Sequence, residues 1–128
     1  MKPRLRTAVS FLVTASAFLV GCDSDAPVPA AGVVTATLVS PNGPEGAAHL
    51  RLFGEGITEV RPLDARTFSN VRGDTVNVVI VRDQPGDLRF LVALSDTTRL
   101  PVVAVLEVAG GDDKLRANPQ AYRVEMRP

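Results

Sequence analysis

Cys22 carries the only thiol in the chain of 128 residues, and it follows Leu19, Val20 and Gly21, the last of them small. A thiolate is the strongest nucleophile among the common side chains, so the chemistry open here is covalent modification of sulfur. A lone cysteine rules out an intramolecular disulfide and any cysteine-based metal site. His49 is likewise the only histidine. That rules out a multi-histidine metal centre, and a catalytic role would require both a nucleophile and an orienting carboxylate beside it. Next to Arg51 on an alternating strand, His49 is expected on a polar face.

Carboxylates offer the other chemistry. Asp112 and Asp113 follow Gly110-Gly111, but the Asp-x-Asp-x-Asp-Gly spacing of a calcium loop is missing, and Gly and Asp both favour tight turns for local reasons. Asp64, Asp74, Asp83 and Asp87 could supply a glycosidase pair, yet spacing singles out no two of them. With no Trp and one Tyr, the chain is also poor in aromatic surface for a sugar. Arg72-Gly73-Asp74 spells the tripeptide read by animal integrins, but it precedes a strand and is expected to be an ordinary turn. No catalytic set converges. A non-catalytic chain without cofactor or metal is expected.

The residues before Cys22 explain its chemistry better than any site. Lys2, Arg4 and Arg6 form a positive start, residues 7–20 an apolar run, and Gly21 a small residue at the boundary. That order is the layout of an export signal, and the run is shorter than the ~20 residues a membrane-spanning helix needs. Leu19-Val20-Gly21-Cys22 resembles the lipobox of bacterial lipoprotein precursors. The resemblance implies that a signal peptidase recognises Leu19, Val20 and Gly21, cuts before Cys22, and leaves the Cys22 sulfur joined to a diacylglycerol. The membrane is then a partner through that lipid. Asp23 resembles the inner-membrane retention signal of enterobacterial lipoproteins. The expected address is the cell envelope, with the domain outside the cytoplasm.

The organisation that follows is a signal peptide over residues 1–21, a lipidated cysteine and flexible tether over 22–32, and one domain over 33–128. Removing 21 residues from 128 leaves 107, enough for a single modest core. Three of the 14 basic residues lie in the leader, leaving 11 against 14 acidic ones, a net charge of −3. A mildly acidic domain with one lysine offers no concentrated basic face, which argues against nucleic acid. The tether, with Pro27 and Pro29 and no hydrophobic period, would reach about 30 Å if its ten residues were extended at ~3.1 Å each.

From residue 33 onward, short runs of Val, Leu and Thr alternate with Gly, Pro, Asn and Asp, which predicts an all-β chain. Inward faces are expected at Val34, Ala36 and Leu38; at Ala48, Leu50 and Leu52; at Val76, Val78 and Ile80; and at Leu88, Phe90, Val92 and Leu94. Later runs place Val102, Ala104, Leu106 and Val108, then Tyr122, Val124 and Met126, on the same core. Asp83-Gln84-Pro85-Gly86 reads as a hairpin turn. Six or seven strands in so short a domain favour a small two-sheet antiparallel β-sandwich. The stretches 46–52, 57–60 and 86–90 resemble cohesin-type and immunoglobulin-like sandwiches of bacterial surface proteins, which implies a fold and no more.

A second apolar stripe, Val79, Val81, Leu91, Ala93, Val103 and Val105, falls on the faces opposite the expected core. If those runs are neighbours in one sheet, the stripe is a partner patch; if residues 61–71 form a covering loop, it is not. The expected function is a non-catalytic binding or structural module with a protein or glycan partner in the envelope. An envelope glycosidase and an accessory subunit pairing through a sheet edge are the alternatives.

Overall fold

The computed structural model describes residues 28–128. The expected leader helix, Leu19, Val20, Gly21 and Cys22 lie outside the described residues. Eight strands form: β1 (Gly32–Val39), β2 (Glu45–Phe53), β3 (Ile57–Pro62), β4 (Arg66–Arg72), β5 (Thr75–Gly86), β6 (Arg89–Leu94), β7 (Val102–Ala109) and β8 (Arg123–Arg127). They build two four-stranded sheets in the orders β3-β6-β1-β8 and β4-β5-β2-β7, antiparallel throughout. The pairs nest, β1 with β8, β2 with β7, β3 with β6 and β4 with β5, as in a long double ribbon folded into two layers. The antiparallel sandwich is as expected, with one strand more than the upper expected count.

Each sheet has one apolar face, and the two faces close on each other because neither can bury itself alone. Val34, Ala36 and Leu38 with Phe90, Val92 and Leu94 meet Ala48, Leu50 and Leu52 with Val76, Val78 and Ile80. These are the positions that period-two alternation marks, since successive side chains on a strand point to opposite faces.

Three expectations are corrected. Residues 61–71 are not a covering loop: they end β3, turn, and form β4, an edge strand. Asp83-Gln84-Pro85-Gly86 is not a hairpin turn, because it lies within β5, whose register with β2 jumps between the Glu45–Gly86 and Ala47–Val81 pairs. The chain then crosses to the other sheet, and the true hairpin is β4–β5, closed by the Arg72–Thr75 pair with Gly73 at φ +60°. The third correction is the phase of β7. His49 faces Glu107 while Leu50 faces Val105, so Leu106 is an extra residue in a β-bulge. Before the bulge, Val103 and Val105 pack on the core; after it, Val108 does, and Val102 is turned out at 70 % exposure.

The strand directions define two ends. Gly32, where the tether enters, lies with residues 53–56, 72–75 and 95–102 at what we call the near end. Residues 40–44, 62–66, 82–88 and 110–122 lie at the far end.

The bulge makes a sharp test. Val103→Asp should lower stability by about 2 kcal/mol or more through burial of an unpaired carboxylate, whereas Val102→Asp should stay within about 0.5 kcal/mol of wild type, both read from urea unfolding midpoints. Equal effects would return β7 to unbroken alternation.

Candidate functional site

The far end holds the one buried charged side chain among the described residues. Glu45, at the start of β2, is 1 % exposed. Its Oε1 accepts hydrogen bonds from Tyr122 Oη at 2.7 Å and Ser40 Oγ at 2.8 Å, and its Oε2 accepts one from Arg116 Nε at 3.0 Å. Asn42 Nδ2 donates in turn to Tyr122 Oη at 2.7 Å. Burial pushes the Glu45 carboxyl up, but the donors Tyr122, Ser40 and Arg116 together outweigh it and hold the group below its ordinary value of 4.5. Among the described residues no buried side-chain polar atom lacks a partner. Gly46 is required beside this network, because a Cβ there would stand 2.7 Å from the Gly110 carbonyl oxygen.

Also at the far end, the three residues Leu63, Asp64 and Ala65 carry the chain from β3 to β4, opposite residues 81–84 of β5. Between them opens a groove of about 780 Å³. Ala65 and Val81 form its floor, Leu63 and Phe68 are exposed apolar walls, and the polar side is set by ion pairs. Arg66 Nη2 lies 2.8 Å from Asp83 Oδ1, and Arg89 Nη2 lies 2.6 Å from Asp64 Oδ2, with Arg82 Nη1 at 3.7 Å from the same oxygen. Arg82 Nη1 also donates to the Asp87 carbonyl at 2.8 Å. Exposed pairs of this kind add under about 1 kcal/mol each, so their effect is to hold the groove wall in shape rather than to hold the fold together.

The groove continues into the outer face of the sheet β4-β5-β2-β7. Across it the register aligns Arg66, Val81, Ala47 and Ala109, and in the next row Phe68, Val79, His49 and Glu107. Leu115, bridged to Ala109, extends the first row. A hollow of about 220 Å³ lies among Ala47, Val79, Ala109 and Leu115. Phe68 at 58 % and Leu115 at 67 % exposure flank an apolar band that runs across all four strands.

Only two of the six residues of the expected stripe belong to this band. Val79 and Val81 belong to it, but Leu91 and Ala93 sit on β6 in the other sheet, and Val103 and Val105 pack on the core, so the six residues do not form one patch. What alternation missed is Phe68, hidden in a stretch too polar to read as a strand, and Leu115, which lies in a loop. His49 is on the outer face as expected, its Nδ1 3.9 Å from Glu107 Oε2. Asp112 and Asp113 are exposed turn residues, and no group of three metal-ligating side chains occurs among the described residues. Of the four aspartates weighed for hydrolysis, Asp64 and Asp83 share the groove, Asp87 lines a neighbouring hollow beside Glu45, and Asp74 is at the near end with Arg72 and Gly73.

Fold and site together define a small antiparallel β-sandwich with an amphipathic groove at one end. No family model, no curated protein and no solved structure matches the chain.

The carboxylate network predicts an acid-sensitive fold. Because Glu45 titrates below its unfolded value near 4.5, its stabilisation is complete above that pH and is lost as pH falls through the lower folded value. Urea midpoints should therefore drop below that pH, and Glu45→Gln should flatten this drop while Tyr122→Phe costs about 1–3 kcal/mol at pH 7. A midpoint that is level from pH 7 to 3 in the wild type would remove Glu45 from this role.

Proposed function

We propose that the chain is a lipid-anchored protein of the bacterial cell envelope whose sandwich is a non-catalytic binding or structural module. The observation that carries the proposal is the order of features ahead of the fold: a basic start, an apolar run, Leu19-Val20-Gly21-Cys22, then a short proline-containing tether. The Ala30 carbonyl accepts from Thr97 N and Thr97 Oγ1, and β1 starts at Gly32, so this tie stands eight positions after the cysteine. The apolar band and the groove favour a protein or glycan partner at the far end, since a ligand with one apolar face and one hydrogen-bonding edge matches a wall of Phe68 and Leu63 facing Arg66 and Asp83.

A second function rests on Asp64 and Asp83 lying in one groove: a carboxylate-dependent envelope hydrolase. Each of those carboxylates faces arginine rather than an apolar wall, which suits a binding surface better than a general acid.

Two measurements test these statements. Intact-mass analysis of the chain isolated from a bacterial host should give a product cut before Cys22 and bearing a diacylglyceryl group, and Cys22→Ser should lower the membrane-associated fraction by about tenfold or more. An uncut chain with a free thiol would overturn the anchor. For the partner face, a photo-crosslinking residue at Phe68 should capture an envelope component in living cells while the same residue at Thr37, on the outer face of the other sheet, should not; capture at both or neither would remove the band from the account.

A further inference from the structure

The near end has its own apolar surface, separate from the groove. Phe53 and Val102 stand side by side in the register of β2 and β7, and Leu100 precedes Val102 by two residues. Gly54 abuts Pro101, its missing Cβ 3.2 Å from the Pro101 Cα. Backbone hydrogen bonds join these turns into one cap: Gly54 N to Asp74 O, Ser95 N to Gly56 O, and Thr97 N to Ala30 O. Leu100 and Val102 are 50 % and 70 % exposed, with Phe53 also open to solvent. Side chains of this kind normally face a partner when they cluster.

The place where the chain enters says which partner. The tether ties to this cap at Ala30, and its eight residues to Cys22 span at most about 29 Å at ~3.6 Å each. That is less than the ~40 Å length of a 12-residue strand such as β5. The near end is therefore held within one body length of whatever Cys22 is fixed to. Confinement of that kind raises effective concentration enough for weak apolar contacts to be made. Charge at this end is balanced, with Arg51, Arg72 and Arg99 against Glu55, Asp74 and Asp96, so attraction to anionic headgroups is not the driving force.

We propose that the near end is a bilayer-docking surface, in which Phe53, Leu100 and Val102 enter the headgroup region of the phospholipid layer holding Cys22, so that the sandwich stands on that end with its groove facing away. This deepens the proposed lipid anchor and rests on it. The contact is apolar, reversible and close to independent of lipid charge.

The test uses the full chain, processed in a bacterial host and reconstituted into vesicles. Leu100→Cys and, at the far end, Gln84→Cys each receive an environment-sensitive fluorophore, Cys22 being blocked by its lipid. Nitroxide-headgroup lipid should quench the label at position 100 at least about twofold more than at position 84, in phosphatidylcholine vesicles and in vesicles with added phosphatidylglycerol alike. Phe53→Ser with Val102→Ser should bring the two positions to equal quenching. Equal quenching in the parent chain, with intact mass showing the lipid, overturns docking and leaves the anchor standing; a mass without lipid overturns both. Quenching or a blue shift at position 100 that grows with the protein-to-lipid ratio assigns the surface to a second copy of the chain and also overturns the proposal.

Discussion

One buried carboxylate organises the end of the molecule where the site lies. The loop between β1 and β2 and the long passage from β7 to β8 have little ladder pairing of their own, and a two-layer fold gives them no sheet to join. Glu45 supplies the missing cross-links: Ser40 and Tyr122 on one oxygen, Arg116 on the other, and Asn42 held through the tyrosine hydroxyl. A charge so placed is tolerated only because its donors replace lost water, and the same donors tie both segments to the start of β2. Ser40 and Glu45 line a hollow of their own at this end, next to Gly86, Asp87 and Leu88.

The groove lies where β5 passes the short turn from β3 to β4. Pairing of β5 with β2 is irregular between Ala47 and Glu45, and only three residues carry the chain from β3 to β4. Arg66 and Arg89 reach across to Asp83 and Asp64. Apolar contact area and polar edges thus meet in one place.

How much of this was legible from residue order varies by element. The core faces of β1, β2, β5 and β6 follow from strict alternation, because each is buried on one side and wet on the other. β4 was not legible. Its run Arg66-Thr67-Phe68-Ser69-Asn70-Val71-Arg72 is an edge strand exposed on both faces, so nothing in its pattern separates it from a loop. β7 was legible as a strand but not in phase, since one inserted residue, Leu106, flips every side chain beyond it. The carboxylate network was invisible because its bonded members lie as many as 80 positions apart and share no local spacing. The lipid anchor proposed at Cys22, by contrast, rests entirely on neighbouring residues and owes nothing to the fold.

The position of β1 within its sheet also bears on mechanical load. The strand that continues the tether is a central one, paired over six residues with β6 and over five with β8. If a partner grips the far end while the tether pulls at Gly32, the force runs along the strand axis and strains both ladders in shear, with many bonds sharing it at once. An edge strand pulled crosswise would instead unzip one bond at a time. The topology therefore suits a body that must keep its shape when tugged between a fixed anchor and a moving load.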